Sequence, residues 1–103
     1  MSKFIDCSKN AVLIALDFPM SAYSSSTHRK KHMKQVYDSL NIVWSCYTLG
    51  NHKALIMSTE DGLTDKYWEV TYDTGRHRYY VDKYLKINNS MIQGADIETM
   101  QRL

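Results

Sequence analysis

The hydrophobic and polar positions of this chain change period several times, and each change marks an element. Ala11-Val12-Leu13-Ile14-Ala15-Leu16 is a continuous apolar run that stops at Asp17-Phe18-Pro19. A run this short, rich in branched side chains, predicts a strand buried on both faces; Pro19 closes it, because proline cannot donate to a ladder. Met20 to Thr27 is a polar loop dense in hydroxyls that favour helix caps. From His28 to about Leu40 the period lengthens. Met33, Val36, Tyr37 and Leu40 form one apolar stripe, with Lys30, Lys31, Lys34 and Asp38 away from it. That spacing predicts an amphipathic helix, capped by Ser26 or Thr27 and stopped near Asn41.

Beyond Asn41 the period shortens to alternation. Ile42–Leu49 and Lys53–Thr59 predict a hairpin about Gly50-Asn51, pairing Trp44 with Met57, Cys46 with Leu55 and Tyr47 with Ala54. This register places Ile42, Trp44, Cys46, Leu55 and Met57 on one face. A loop, Glu60 to Asp65, leads to a second hairpin about Thr74-Gly75. There Trp68 is expected opposite Val81, Val70 opposite Tyr79, and Tyr72 opposite His77. The other face of that hairpin is charged, as in a half-solvated antiparallel sheet. Ser90 to Leu103 carries Met91, Ile92, Ile97 and Met100 at spacings that suit a short closing helix, interrupted by Gly94. The expected fold is α+β: one helix packed on a four- to five-stranded, mainly antiparallel sheet, in the order β-α-β-β-β-β with that short C-terminal helix. No repeat or linker divides the chain, so residues 1–103 read as a single domain.

Composition narrows the function classes. A hydrophobic fraction of 44% with eight tyrosines describes a folded chain rather than a disordered one. The net charge of +2 is too balanced to define a nucleic-acid binder, yet residues 1–59 sum to +4 and residues 60–103 to −2. The domain is therefore electrically two-sided. Met1 to Asp6 lacks the apolar run of a secretory signal, and no stretch approaches the roughly 18 apolar residues of a membrane span. With Cys7 and Cys46 read as thiols in a reducing compartment, these features predict a cytoplasmic protein without a membrane partner.

Two surfaces stand out. The first is the basic start of the helix. Arg29, Lys30 and Lys31, with Lys34 a turn later, oppose the helix dipole, which favours acids at that end. Beside Ser24, Ser25, Ser26 and Thr27 these cations would suit a phosphate or a partner's carboxylate; the bland alternative is a solvated basic face. The second is the outer face of the last hairpin, where Tyr67, Arg78, Tyr80 and Tyr84, with Arg76 and Lys86, interleave rings and cations. Such a surface can stack bases, although Glu69, Asp73 and Asp82 on the same face repel phosphates and the tyrosines are ordinary strand residues. An acidic stretch from Glu60 to Asp73 could also meet a basic surface.

Catalytic and metal signals are thin. His28 and His32 share a helix face, but a zinc site needs three or four ligands, and lysines surround this pair. Asp17 beside the serine-rich loop is a lone acid with neither a partner acid nor a phosphate loop. The sequence therefore predicts no metal and no cofactor. The stretch from Ile42-Val43-Trp44-Ser45-Cys46-Tyr47 through Trp68-Glu69-Val70-Thr71-Tyr72-Asp73 is similar in strand layout to the small bacteriophage uracil-DNA glycosylase inhibitors. The similarity implies a compact protein of phage type that docks on a host protein. Those inhibitors are acidic mimics of DNA, whereas this chain is net basic, so no residue roles transfer. The leading expectation is a non-enzymatic interaction protein, an inhibitor or adaptor whose partner is a host protein. The alternative is a nucleic-acid-binding module using the basic helix, and the third is a small enzyme near Asp17.

Overall fold

Phe4, Cys7, Ala11, Val12 and Leu16 recur at three- and four-residue steps, the spacing of one helix face. In the structure, a computed structural model that describes residues 2–102, they lie on an α-helix, α1 (Ser2–Leu16). The terminal Met1 and Leu103 of the expected domain lie outside the described residues. The apolar run Ala11–Leu16 is thus the end of a helix, and the expected first strand is corrected. Val12 and Leu13 are buried while Ile14 is 81% exposed, which is helical rather than two-sided burial. Asp17 ends α1 in the left-handed region (φ 61°), a conformation that a short polar side chain tolerates at a helix C-terminus. Its N–H reaches the carbonyls of Leu13 and Ile14, both at 3.3 Å.

The second helix, α2 (Ser26–Ser39), follows the expected stripe. Its cap is Ser25, one residue earlier than Ser26, and the Ser25 hydroxyl accepts the His28 N–H at 3.0 Å. Leu40 already belongs to the sheet, a meander of β1 (Leu40–Thr48), β2 (Asn51–Ser58), β3 (Lys66–Asp73) and β4 (Arg78–Leu85) in that spatial order, every pair antiparallel. A last helix, α3 (Gly94–Gln101), follows β4. The architecture is α+β as expected, with two helices preceding a four-stranded sheet in place of β-α-β-β-β-β. No described helix is long and apolar enough to cross a membrane.

Both hairpins are shifted by two residues from the expected pairing. The first turns on Leu49-Gly50 rather than Gly50-Asn51, with φ of 52° and 79°, the two positive values that a primed two-residue turn requires. Trp44 therefore faces Leu55, Cys46 faces Lys53 and Tyr47 faces His52. An irregularity at Val43 then inserts one residue, and Ile42 faces Ile56. Because side chains alternate, that residue turns Ile42 to the opposite face from Trp44. In the second hairpin a four-residue loop, 74–77, closes Asp73 against Arg78, and Trp68 pairs with Lys83, Val70 with Val81 and Tyr72 with Tyr79. The Asp73 carboxylate accepts the N–H groups of Gly75 and Arg76 at 3.0 and 3.3 Å, which fixes the longer loop. A shift of two conserves sidedness, so the expected faces of this hairpin hold.

One side of the sheet carries the helices. Val12 of α1 packs into a cluster with Leu40, Ile56, Trp68 and Val70, all at most 2% exposed. Leu13 joins Phe18 and Val36 in a second cluster between α1 and α2, and Leu16 and Leu63 touch both. The buried hydroxyls of Ser39 and Ser58 are 2.8 Å apart, and Ser58 also accepts the Glu60 N–H. These bonds stitch the α2–β1 junction to the end of β2.

Candidate docking surface: the open face of the sheet

Neither α1 nor α2 packs on the opposite face of the sheet. The observed register arranges that face as four rows running across the strands. The first is Asn41, Met57, Tyr67 and Tyr84; the second is Trp44, Leu55, Glu69 and Asp82. The third is Cys46, Lys53, Thr71 and Tyr80; the fourth is Thr48, Asn51, Asp73 and Arg78. In the first row the rings of Tyr67 and Tyr84 stack at 5.2 Å between centroids. Trp44, Met57, Tyr80 and Tyr84 are each 40–43% exposed, an unusual openness for four large side chains on one sheet face. At one end of the first row, where the chain leaves β4, Leu55, Met57, Tyr67, Leu85 and Ile87 line a cleft of about 430 Å³.

The electrostatics of this face are close to neutral. Glu69, Asp73 and Asp82 stand against Lys53 and Arg78, and Lys53 reaches Glu69 at 3.4 Å. Tyr67, Arg78, Tyr80 and Tyr84, singled out from the sequence, all lie on this one surface. The sequence reading did not single out Trp44, Leu55 and Met57 as part of it. Their alternation was legible, but nothing in it says which face the helices leave bare.

The basic helix start does not assemble as four cations on one anion site. Arg29 is half-buried and its Nε donates to the Phe18 carbonyl at 2.6 Å, tying α2 to the segment after α1. Lys34 pairs with Asp38 at 2.7 Å. Lys30 and Lys31 are exposed and, among the described residues, have no carboxylate within ion-pair distance. His28 and His32 are turned to Ser24 and Tyr23, with the Tyr23 hydroxyl 2.7 Å from His32 Nδ1. Among the described residues no three His, Cys, Asp or Glu side chains gather as a metal site. Cys7 and Cys46 are unpaired thiols on opposite faces of the sheet, and Cys46 is exposed on the open one.

On the helix-bearing side, burial and a hydrogen bond with the Cys7 thiol push the Tyr79 phenol up to about 12. Tyr37, partly buried and donating to Asp6 at 3.1 Å, is raised by the same two causes. An unfolded tyrosine ionises near 10, so between about pH 10 and 12 the unfolded chain holds fewer protons than the folded one. Stability is therefore expected to be flat in this respect below pH 10 and to fall as pH rises from 10 towards 12. Tyr79→Phe should make the decline in thermal midpoint over that window shallower. An unchanged slope would show that Tyr79 ionises alike in both states.

A bare, aromatic sheet face, with α1 and α2 confined to the other side, defines a small α+β domain with one uncovered sheet face. The profile of DUF6275, a family of unknown function, matches residues 13–94, and the chain belongs to that family. The matched segment starts within α1 and ends at the first residue of α3. No curated protein and no solved structure matches the chain.

Proposed function

We propose that this is a non-enzymatic interaction protein that docks on another protein through the open face of its sheet. The observation that carries the reading is the uncovered row Met57-Tyr67-Tyr84 with Trp44 and Leu55 beside it. Aromatic and methionine side chains ringed by mixed charge are what the centre and rim of a protein interface contain. With three carboxylates against two cations, the face repels a phosphate backbone as much as it attracts one. That favours a protein over a nucleic acid. The finer reading is an inhibitor or adaptor of bacteriophage type that acts on a host protein in the cytoplasm, supported by the strand layout of Ile42–Asp73 and by two unpaired thiols. Nucleic acid on the basic helix is the second reading, and it has Lys30 and Lys31 in its favour.

The first is tested with the chain as bait in a nuclease-treated host lysate, the second by titration with oligonucleotides. The wild-type chain is expected to retain one stoichiometric protein, and Met57→Glu with Tyr84→Glu to lose it with unchanged circular dichroism. Titration of the purified chain with short single-stranded oligonucleotides at low salt is expected to show no binding. Oligonucleotide binding that weakens steeply with salt and disappears in Lys30→Glu with Lys31→Glu would replace the protein reading with the nucleic-acid one.

A further inference from the structure

Past Leu85 the chain leaves large apolar side chains in solvent. Every residue from Lys86 through Arg102 is exposed, a span that includes Ile87 (93%), Met91 (77%), Ile92 (63%), Ile97 (50%) and Met100 (66%). Scattered single apolar residues are ordinary on a surface, but five on one 17-residue arm are not. The arm also holds α3, a helix of only eight residues. Isolated helices shorter than about 12–15 residues are marginal in water, and most helical stability in proteins comes from packing an apolar face. Nothing buries this one. The arm projects from the body: the Cα radius of gyration is 17.6 Å with a long axis of 60 Å. A compact domain of this length would have a radius near 13 Å.

The same chain carries the complementary surface. The open face lacks a covering layer, and its cleft lies where the arm begins, with Ile87 in its wall. Charge agrees as well. Asp96 and Glu98 flank Ile97 on α3, whose last turn has no basic residue. At the cleft Lys66 is paired with Asp65 at 3.0 Å, which leaves Lys86 as its cation without a carboxylate partner among the described residues. A stable interface takes about 20–30 residues from each side. In a reciprocal exchange about a twofold axis each copy contributes its 17-residue arm and the open face of its sheet, which together exceed that number.

We infer that the open face is covered by the C-terminal arm, Lys86–Arg102, of a second copy of this chain. The exchange is reciprocal, with Ile97 and Met100 of α3 seated against the row Met57, Tyr67 and Tyr84. This rests on the reading of the open face as a docking surface, and it names the occupant of that face when no other protein is bound. A partner protein then competes with the arm, and dimer and complex exclude each other.

The test is the solution mass of the full chain by sedimentation across the micromolar range. The expected mass is twice the 12.0 kDa of one chain. Ile97→Glu with Met100→Glu, both exposed and outside the core, should halve that mass without changing the circular dichroism of the body. Met57→Glu with Tyr84→Glu should do the same. A wild-type monomer with α3 amides protected from exchange would mean that each arm folds onto its own sheet, and would overturn the inference. A monomer with unprotected α3 amides would overturn it too, and in both cases the lysate capture still decides the docking reading. A dimer that survives the face variant overturns the inference by seating the arm elsewhere. If that variant also retains the captured protein, the docking reading falls with it.

Discussion

Trp68→Ala is expected to cost about 3–5 kcal/mol, the usual range for truncating a buried aromatic residue, and so to leave the domain at or near its unfolding threshold. Trp68 is 1% exposed on an inner strand of the sheet and packs with Val12, Leu40, Ile56 and Val70. The loss has two parts: the transfer free energy of the indole, and a cavity that two strands and a helix cannot collapse to fill. Trp44→Ala is the internal control. The same side chain on the same sheet, but 41% exposed on the open face, should cost less than about 1.5 kcal/mol, as surface substitutions do. Urea unfolding followed by circular dichroism measures both. Equal losses would mean that Trp44 is packed as deeply as Trp68 and that the side facing the helices is not the core side of the sheet.

Asn10→Pro is the second large effect, and it tests the element that the sequence concealed. Asn10 is exposed in the middle of α1, so its replacement removes no packing. Proline there deletes the N–H that bonds four residues back and drives its ring into that turn, for a cost of about 3 kcal/mol or more. Asn10→Ala, which improves helix propensity and touches nothing, should be stabilising by a few tenths of a kcal/mol. Opposite signs for the two substitutions in one melting experiment establish a helix through residue 10. Were Ala11–Leu16 the strand that its composition suggests, residue 10 would lie in the preceding loop and the proline would be nearly neutral.

The failure at α1 has a physical cause. Ala11–Leu16 is apolar all round, and over six residues a buried strand and a helix end have the same composition. The discriminating signal lay upstream. Phe4, Cys7, Ala11 and Val12 keep a helical step, but a thiol and a serine at residues 7 and 8 do not read as an apolar stripe. Cys7 and Ser8 are nonetheless on the inward side of α1, and Ser8 is fully buried. The helix α2 was legible because four apolar residues stand alone among lysines, and only one period fits them. The hairpins were legible as hairpins, but their register was not. Leucine at the first position of a primed turn is an unfavourable choice that no turn rule selects, and the residue inserted at Val43 has no signature in the sequence.

The candidate surface divides along the same line. Alternation along β3 and β4 placed Tyr67, Arg78, Tyr80 and Tyr84 together, since any even register keeps them on one side. Arg29 looked like a ligand for an anion because its neighbours are cations, but its guanidinium is held by the Phe18 carbonyl, a bond between residues 11 apart. By itself, then, the sequence determined the periods: one basic amphipathic helix, two hairpins, and a tyrosine face, all set by contacts within a few residues. Which side of the sheet the helices occupy, the pairing across the strands, and the arm left without a core were decided only by tertiary structure. Burial is shared among residues far apart in the chain, and no local pattern records which of two apolar faces will find a cover.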